Sequence, residues 1–186
     1  MPGPIWGGKD LIMRPLAASL LVLLAASAVR AGGPPAVVSA RIVLAAKDVH
    51  PGTTVRITVA ARIDSGYHIN DRKPSLDYLI PTKVVFDDSP SLKVERVSYP
   101  RGKLTKFVFL DSPISVYEGE IRLTALLKVS PSLKPGAYPL RGKFEYQACN
   151  DHACLPPTSV PLAAVVRVVA PPASLPPAHS AVFREK

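Results

Sequence analysis

The stretch Phe144-Glu145-Tyr146-Gln147-Ala148-Cys149-Asn150-Asp151-His152-Ala153-Cys154-Leu155-Pro156-Pro157 decides how the chain is read. Phe144, Tyr146 and Ala148 alternate with Glu145 and Gln147, the period of a half-buried β-strand. Asn150 and Asp151 suit a tight reversal, because their side chains bond to nearby backbone amides. A hairpin with a four-residue loop would set Cys149 and Cys154 opposite each other on adjacent strands. Directly opposed residues have Cα atoms roughly 4.5–5.5 Å apart, which overlaps the window a disulfide requires. The pair can therefore close inside one hairpin.

Such a ring stabilises little. On the chain-entropy model a loop of about six residues contributes on the order of 2 kcal/mol, well below a long-range bridge. One reading is a structural clip. The other is an exchange site, since a disulfide that adds little stability can open and close without unfolding its host. Its place at a turn admits a partner's thiolate, and these are the only two cysteines of the chain.

Outward from this hairpin the pattern is strand after strand. Val38 to Ala46 alternates around Arg41 and ends at His50-Pro51-Gly52. Within Thr53 to Ile63, Val55, Ile57 and Val59 take one face and Thr54, Arg56 and Thr58 the other. Asp64-Ser65-Gly66 turns into a short segment, Tyr67-His68-Ile69, followed by a polar loop, Asn70 to Asp77. Further strands are predicted at Thr82 to Phe86, Leu92 to Tyr99, Leu104 to Leu110, Glu120 to Val129, Tyr138 to Cys149 and Val160 to Val169. Short strands punctuated by Pro and Gly predict an all-β sandwich. The sequence lacks an antibody-type signature, because the two cysteines are too close to bridge two sheets and Trp6 lies near the N-terminus.

The first 31 residues read differently. Lys9 and Arg14 precede an apolar run from Leu16 to Ala28, and Ala26-Ser27-Ala28 or Val29-Arg30-Ala31 offers small residues for cleavage. That is the pattern of a secretory signal peptide, with Met13 an alternative start. Export would place the cysteines where disulfides persist. Residues 32–169 then form the domain, and 170–186 a Pro-rich tail beginning Ala170-Pro171-Pro172. The chain carries +9 overall and +7 without the leader. Its basic residues are scattered, with few aromatics among them, which argues against nucleic acid and for solubility.

Four motifs occur in an order seen in one family: Gly66-Tyr67-His68-Ile69-Asn70, Leu79-Ile80-Pro81-Thr82, Val116-Tyr117-Glu118-Gly119-Glu120, and Tyr146-Gln147-Ala148-Cys149 through Cys154-Leu155-Pro156-Pro157. From Val37 to Val169 the sequence resembles the N-terminal periplasmic domain of the DsbD thiol–disulfide interchange proteins. The resemblance implies an immunoglobulin-like β-sandwich that shuttles electrons through a redox-active disulfide, with no other cofactor. It implies a thioredoxin-like donor supplied by a membrane electron-transfer protein. The acceptors would be periplasmic oxidoreductases that repair disulfides or serve cytochrome maturation. Cys154 would form the mixed disulfide and Cys149 would resolve it. An aromatic cap would lie between Lys106 and Tyr117, with Phe107 or Phe109 as lid and Tyr117 as a further shield. Family members usually continue into membrane and thioredoxin-like domains, so here the membrane donor is expected on a separate polypeptide, and a monomer is expected.

Around the sulfurs, a protonated His152 would stabilise a Cys154 thiolate and Asp151 would oppose it. Both are also ordinary loop residues. His68 stands next to a turn and is a candidate to approach the hairpin or to be a structural histidine. Two alternatives stand beside exchange. One is a non-catalytic binding module with an inert clip. The other is Cu or Zn binding by Cys149, His152 and Cys154, which the absence of methionine after Met13 disfavours.

Overall fold

The structure is a computed structural model and describes Met1, Gly3, residues 36–108 and residues 110–171. All of the expected leader but Met1 and Gly3, Phe109, and all but the first two residues of the Pro-rich tail lie outside the described residues.

Alternation of apolar and polar side chains sets the architecture. Strand β3 (Thr54–Ile63) buries Ile57, Val59, Ala61 and Ile63 and exposes Arg56 and Arg62. It lies between β1 (Val38–Leu44) and β9 (Glu120–Val129), and β6 (Leu92–Ser98) completes this antiparallel sheet. In β9 every second residue from Ile121 to Val129 is buried, as a strand with one face on a core requires.

The opposing sheet is built on β10 (Gly136–Tyr146) and β12 (Thr158–Val168), paired in continuous register from Gly136↔Val168 to Tyr146↔Thr158. The short strands β2 (Asp48–Val49) and β5 (Lys83–Phe86) flank them. Gly142 of β10 faces β5 so closely that a Cβ there would stand 2.4 Å from the Val85 carbonyl oxygen. Between the two sheets lies an apolar interior in which Ile57, Leu123 and Leu127 of one sheet and Phe144 and Val166 of the other are fully buried. This is an all-β sandwich, as the strand pattern predicts, and immunoglobulin-like, as the family resemblance implies.

A third, smaller sheet closes one end, in the order β11 (Ala148–Cys149), β4 (His68–Asn70), β8 (Ile114–Tyr117), β7 (Lys103–Thr105). It positions the cysteines. The single strand expected from Tyr138 to Cys149 breaks at Gln147, where the chain leaves the β12 ladder and pairs with β4 instead. Two other expectations are corrected. Among the described residues the strand predicted over Leu104 to Leu110 is confined to Lys103–Thr105, and part of the segment expected to carry the cap, Ile114–Tyr117, is a strand. Ile114, Val116 and Tyr117 are all buried, so the strand is held by its neighbours rather than by a clean alternation of its own.

Candidate functional site

The cysteine hairpin forms as its local chemistry dictates. Asn150 Oδ1 accepts the backbone amides of His152 and Ala153, each at 2.9 Å, and fixes the reversal. The Asn150 amide donates to the Ala153 carbonyl at 3.0 Å and the Leu155 amide to the Ala148 carbonyl at 2.8 Å. Gln147 Nε2 adds a bond to the Leu155 carbonyl at 3.3 Å. Cys149 and Cys154 face each other as an antiparallel bridge, Cα atoms 3.9 Å apart, and are joined as a disulfide.

The two sulfur-bearing residues have different surroundings. Cys149, within the end sheet, is 3% exposed, whereas Cys154 stands on the rim and is exposed. Asp151, His152, Ala153, Pro156 and Pro157 are exposed around it. His152 donates its backbone amide to Asn150 and lies on the solvent side of the loop.

His68 proves to be central. It is the Cα partner of Cys149 across the β4–β11 pair and is 4% exposed. Its ring stacks on Phe107, with centroids 4.2 Å apart and planes inclined by 27°. Burial lowers the proton affinity of His68, and the charges of Glu118 and Asp151 partly restore it. Phe107 lies in the β7–β8 connection, itself buried, and packs with Ile114 and Val116 against Leu76, Leu79 and Leu110. Phe107 is therefore the described aromatic of that connection, seated beside the cysteine strand. Beside this pair runs an open groove of about 690 Å³ lined by Arg62, Asp64, Glu118, Glu120 and Asp151 among others.

Tyr117 has a different setting. It is 3% exposed, and its hydroxyl donates to Asp71 Oδ1 at 2.6 Å, with the Pro100 carbonyl at 3.1 Å. Ser115 Oγ donates to the other Asp71 oxygen at 2.7 Å, and the Asp71 amide bonds the Ser115 carbonyl at 3.0 Å. Burial raises the Asp71 carboxyl, but the hydrogen bonds from Ser115, Tyr117 and the Lys73 and Arg72 backbone outweigh it and leave the group below its ordinary range. Burial and the Asp71 bond push the Tyr117 phenol well above its ordinary value. Next door, Thr82 Oγ1 donates to the Asn70 carbonyl at 2.6 Å and Asn70 Nδ2 to the Ile80 carbonyl at 2.9 Å. This polar knot ties the loop after β4 to β8 and so supports the sheet that carries His68. Sequence reasoning placed Asn70 and Asp71 in a polar loop and missed it. The one available signal was an Asn-Asp pair directly after a strand-like tripeptide.

Among the described residues no group of three His, Cys, Asp or Glu is placed to hold a metal ion. In the disulfide form both sulfurs are engaged with each other.

Fold and site together define a class: an immunoglobulin-like sandwich with a disulfide hairpin on its rim and an aromatic residue stacked on the histidine that pairs with the buried cysteine. The profile of the family described as thiol:disulfide interchange protein DsbD, N-terminal, matches residues 38–163. The chain belongs to that family. Among solved structures, the reduced N-terminal domain of DsbD from Neisseria meningitidis is 18% identical, with a TM-score of 0.46 over 72% of this chain and 90% of that one. The N-terminal periplasmic domain of ScsB from Proteus mirabilis is 16% identical, with a TM-score of 0.44 over 68% of this chain and 43% of that one. The complex between the DsbD and PilB N-terminal domains from Neisseria meningitidis gives 15% identity and a TM-score of 0.45, over 72% of this chain and 87% of that one. No curated protein matches the chain.

Proposed function

We propose that this protein is an exported thiol–disulfide exchange module that passes electron pairs through Cys149 and Cys154. The observation that carries the reading is the asymmetry of the pair, one sulfur residue buried in the end sheet and the other exposed on the rim. Family membership supports the chemistry. In the accepting half-reaction, a thiolate of a reduced dithiol partner attacks Cys154 Sγ, and Cys149 leaves as a thiolate. The partner's second thiolate then attacks the mixed disulfide, closes its own disulfide and expels the Cys154 thiolate. In the donating half-reaction the Cys154 thiolate attacks a disulfide of the next protein. Cys149 attacks Cys154 Sγ, releases that protein as a dithiol and restores the internal bond. Two electrons and two protons pass in each cycle, and Cys149 never needs to leave its strand.

Partners are proposed to be thioredoxin-like proteins, with electrons drawn from a membrane electron-transfer protein in the periplasm. The solved complex of a DsbD N-terminal domain with the PilB N-terminal domain supports a protein partner for this family. Residues 1–31 are proposed as the export signal and Phe107 as the shield of the pair. His152 and Asp151 stand close enough in sequence to Cys154 to tune its thiolate in opposite senses.

Equilibration in graded thiol/disulfide buffers tests the reading. Exchange proteins have midpoints of roughly −120 to −270 mV, and structural disulfides lie below about −300 mV. A midpoint in the first range is expected. One in the second would make the pair a clip and sink the proposal.

A further inference from the structure

The exchange chemistry uses two sulfurs and leaves His68 without a task. Its position is nonetheless particular. His68 is buried, paired across the sheet with Cys149, and stacked face to face on Phe107. Phe107 hangs from a connection whose next residue, Val108, is fully exposed, so the ring is held from below by a small apolar cluster. The imidazole is an aromatic surface against which that ring rests.

Charge around this stack is uneven. Asp64 from the β3–β4 turn, Glu118 from the β8–β9 turn, Glu120 from β9 and Asp151 from the hairpin line the groove beside it, against Arg62 from β3. Lys103 of β7 is engaged by Glu118 at 3.3 Å, and Lys106 donates to the Leu110 and Asp111 carbonyls of its own connection. A proton arriving on His68 would thus meet mostly acidic neighbours, but only by leaving a place where water is excluded. With Phe107 in place, burial disfavours the charged imidazole. By reciprocity, a proton on His68 disfavours the seated ring to the same degree. The attraction of a phenyl face for a cation works against release, yet it does not return the hydration that burial removes.

We propose that His68 is the positioning residue of this site: as neutral imidazole it seats Phe107 against the strand that pairs with buried Cys149, and on taking a proton from water it turns towards Glu118 and Asp151, releases the ring and opens the Cys149 side of the disulfide as a second route of attack beside exposed Cys154. The inference rests on the exchange reading for its purpose, while the seating itself is a property of the fold. Exposure of the pair would then rise as pH falls through the range in which histidine titrates.

Reduction of the oxidised protein by the neutral phosphine tris(hydroxypropyl)phosphine, between about pH 8 and about pH 5, tests this. Each rate is divided by that of an unstructured peptide carrying residues 147–156, which removes the reagent's own pH dependence. For the wild-type protein the ratio is expected to rise on the order of fivefold or more towards low pH. His68→Phe keeps a stacking surface without a proton site, and its ratio should stay low throughout. His68→Ala removes the seat, and its ratio should stay high throughout. A flat wild-type ratio, or a rise that survives in His68→Phe, overturns the proposal. An NMR titration of the oxidised wild-type protein keeps the test independent of variant folding: the His68 imidazole and Phe107 ring signals should move in one shared transition. Movement of the imidazole with a static Phe107 ring overturns it too. A phosphine needs no protein partner, so a flat but reactive wild-type ratio sinks the seating and leaves exchange standing. A pair resistant to the phosphine in all three proteins sinks both.

Discussion

Tyr117→Phe removes a single oxygen from the polar knot behind the end sheet and leaves the ring that packs in the core. That oxygen carries one proton, and its nearest acceptor is the Asp71 carboxylate at 2.6 Å, closer than the Pro100 carbonyl at 3.1 Å. A hydrogen bond to a charged acceptor contributes about 1.5–3 kcal/mol. Asp71 is only partly buried and keeps the Ser115 hydroxyl, so water replaces some of the loss, and a cost of roughly 1–2 kcal/mol is expected. The pH dependence separates this from a packing defect. Asp71 is held below its ordinary carboxylate range in the fold, so its contribution is complete above about pH 4, the unfolded value. It drains away as pH falls through the lower folded value. Losing the Tyr117 bond moves that folded value back up, so the gap between wild type and variant should be widest near neutrality and shrink in acid. Urea unfolding at about pH 7 and at about pH 2.5 measures it. Tyr99→Phe is the control, because the Tyr99 hydroxyl accepts the neutral Val84 amide at 2.8 Å and its gap should not follow Asp71. A Tyr117→Phe gap below about 0.5 kcal/mol, the scatter of ordinary surface substitutions, refutes the reasoning. So does a gap of equal size at both pH values.

Other expected outcomes concern the sulfurs and the sandwich. Cys149→Ala should capture partner proteins through Cys154 as reductant-sensitive complexes while Cys154→Ala captures few; equal capture by both contradicts the assigned roles. Phe107→Ala should accelerate alkylation of the reduced cysteines in wild-type buffer, and an unchanged rate removes the shielding role. Gly142→Ala brings a methyl to 2.4 Å from the Val85 carbonyl oxygen and 2.9 Å from Phe86 Cα, both backbone atoms that cannot swing aside. A loss of about 1–3 kcal/mol is expected in chemical denaturation, and a variant as stable as wild type would show that β5 shifts freely.

The long strands were legible because one face meets water and the other the core. Ile57, Val59 and Ile63 show this in β3, and Leu123 and Leu127 in β9. The cysteine hairpin was equally legible, since Asn150 and the spacing of the two cysteines act locally. The end sheet was not. In β8, Ile114, Val116 and Tyr117 are buried, and in β4, His68, Ile69 and Asn70 all are, so neither strand displays a solvent face to mark its period. The same burial hid the stack of His68 on Phe107, which joins residues far apart in sequence and depends on how β4 and the β7–β8 connection meet. Asp71, Ser115 and Tyr117 were invisible as a group for that reason.

The break at Gln147 separates two mechanical jobs. Below it, β10 and β12 are laced together up to Tyr146 and Thr158 by backbone bonds alone. Above it, Asn150, Ala148 and Leu155 hold the reversal through hydrogen bonds of their own, alongside the disulfide. Cutting the Cys149–Cys154 bond therefore unties no rung of the scaffold. The hairpin thus carries backbone hydrogen bonds that do not depend on which partner the sulfur atoms hold.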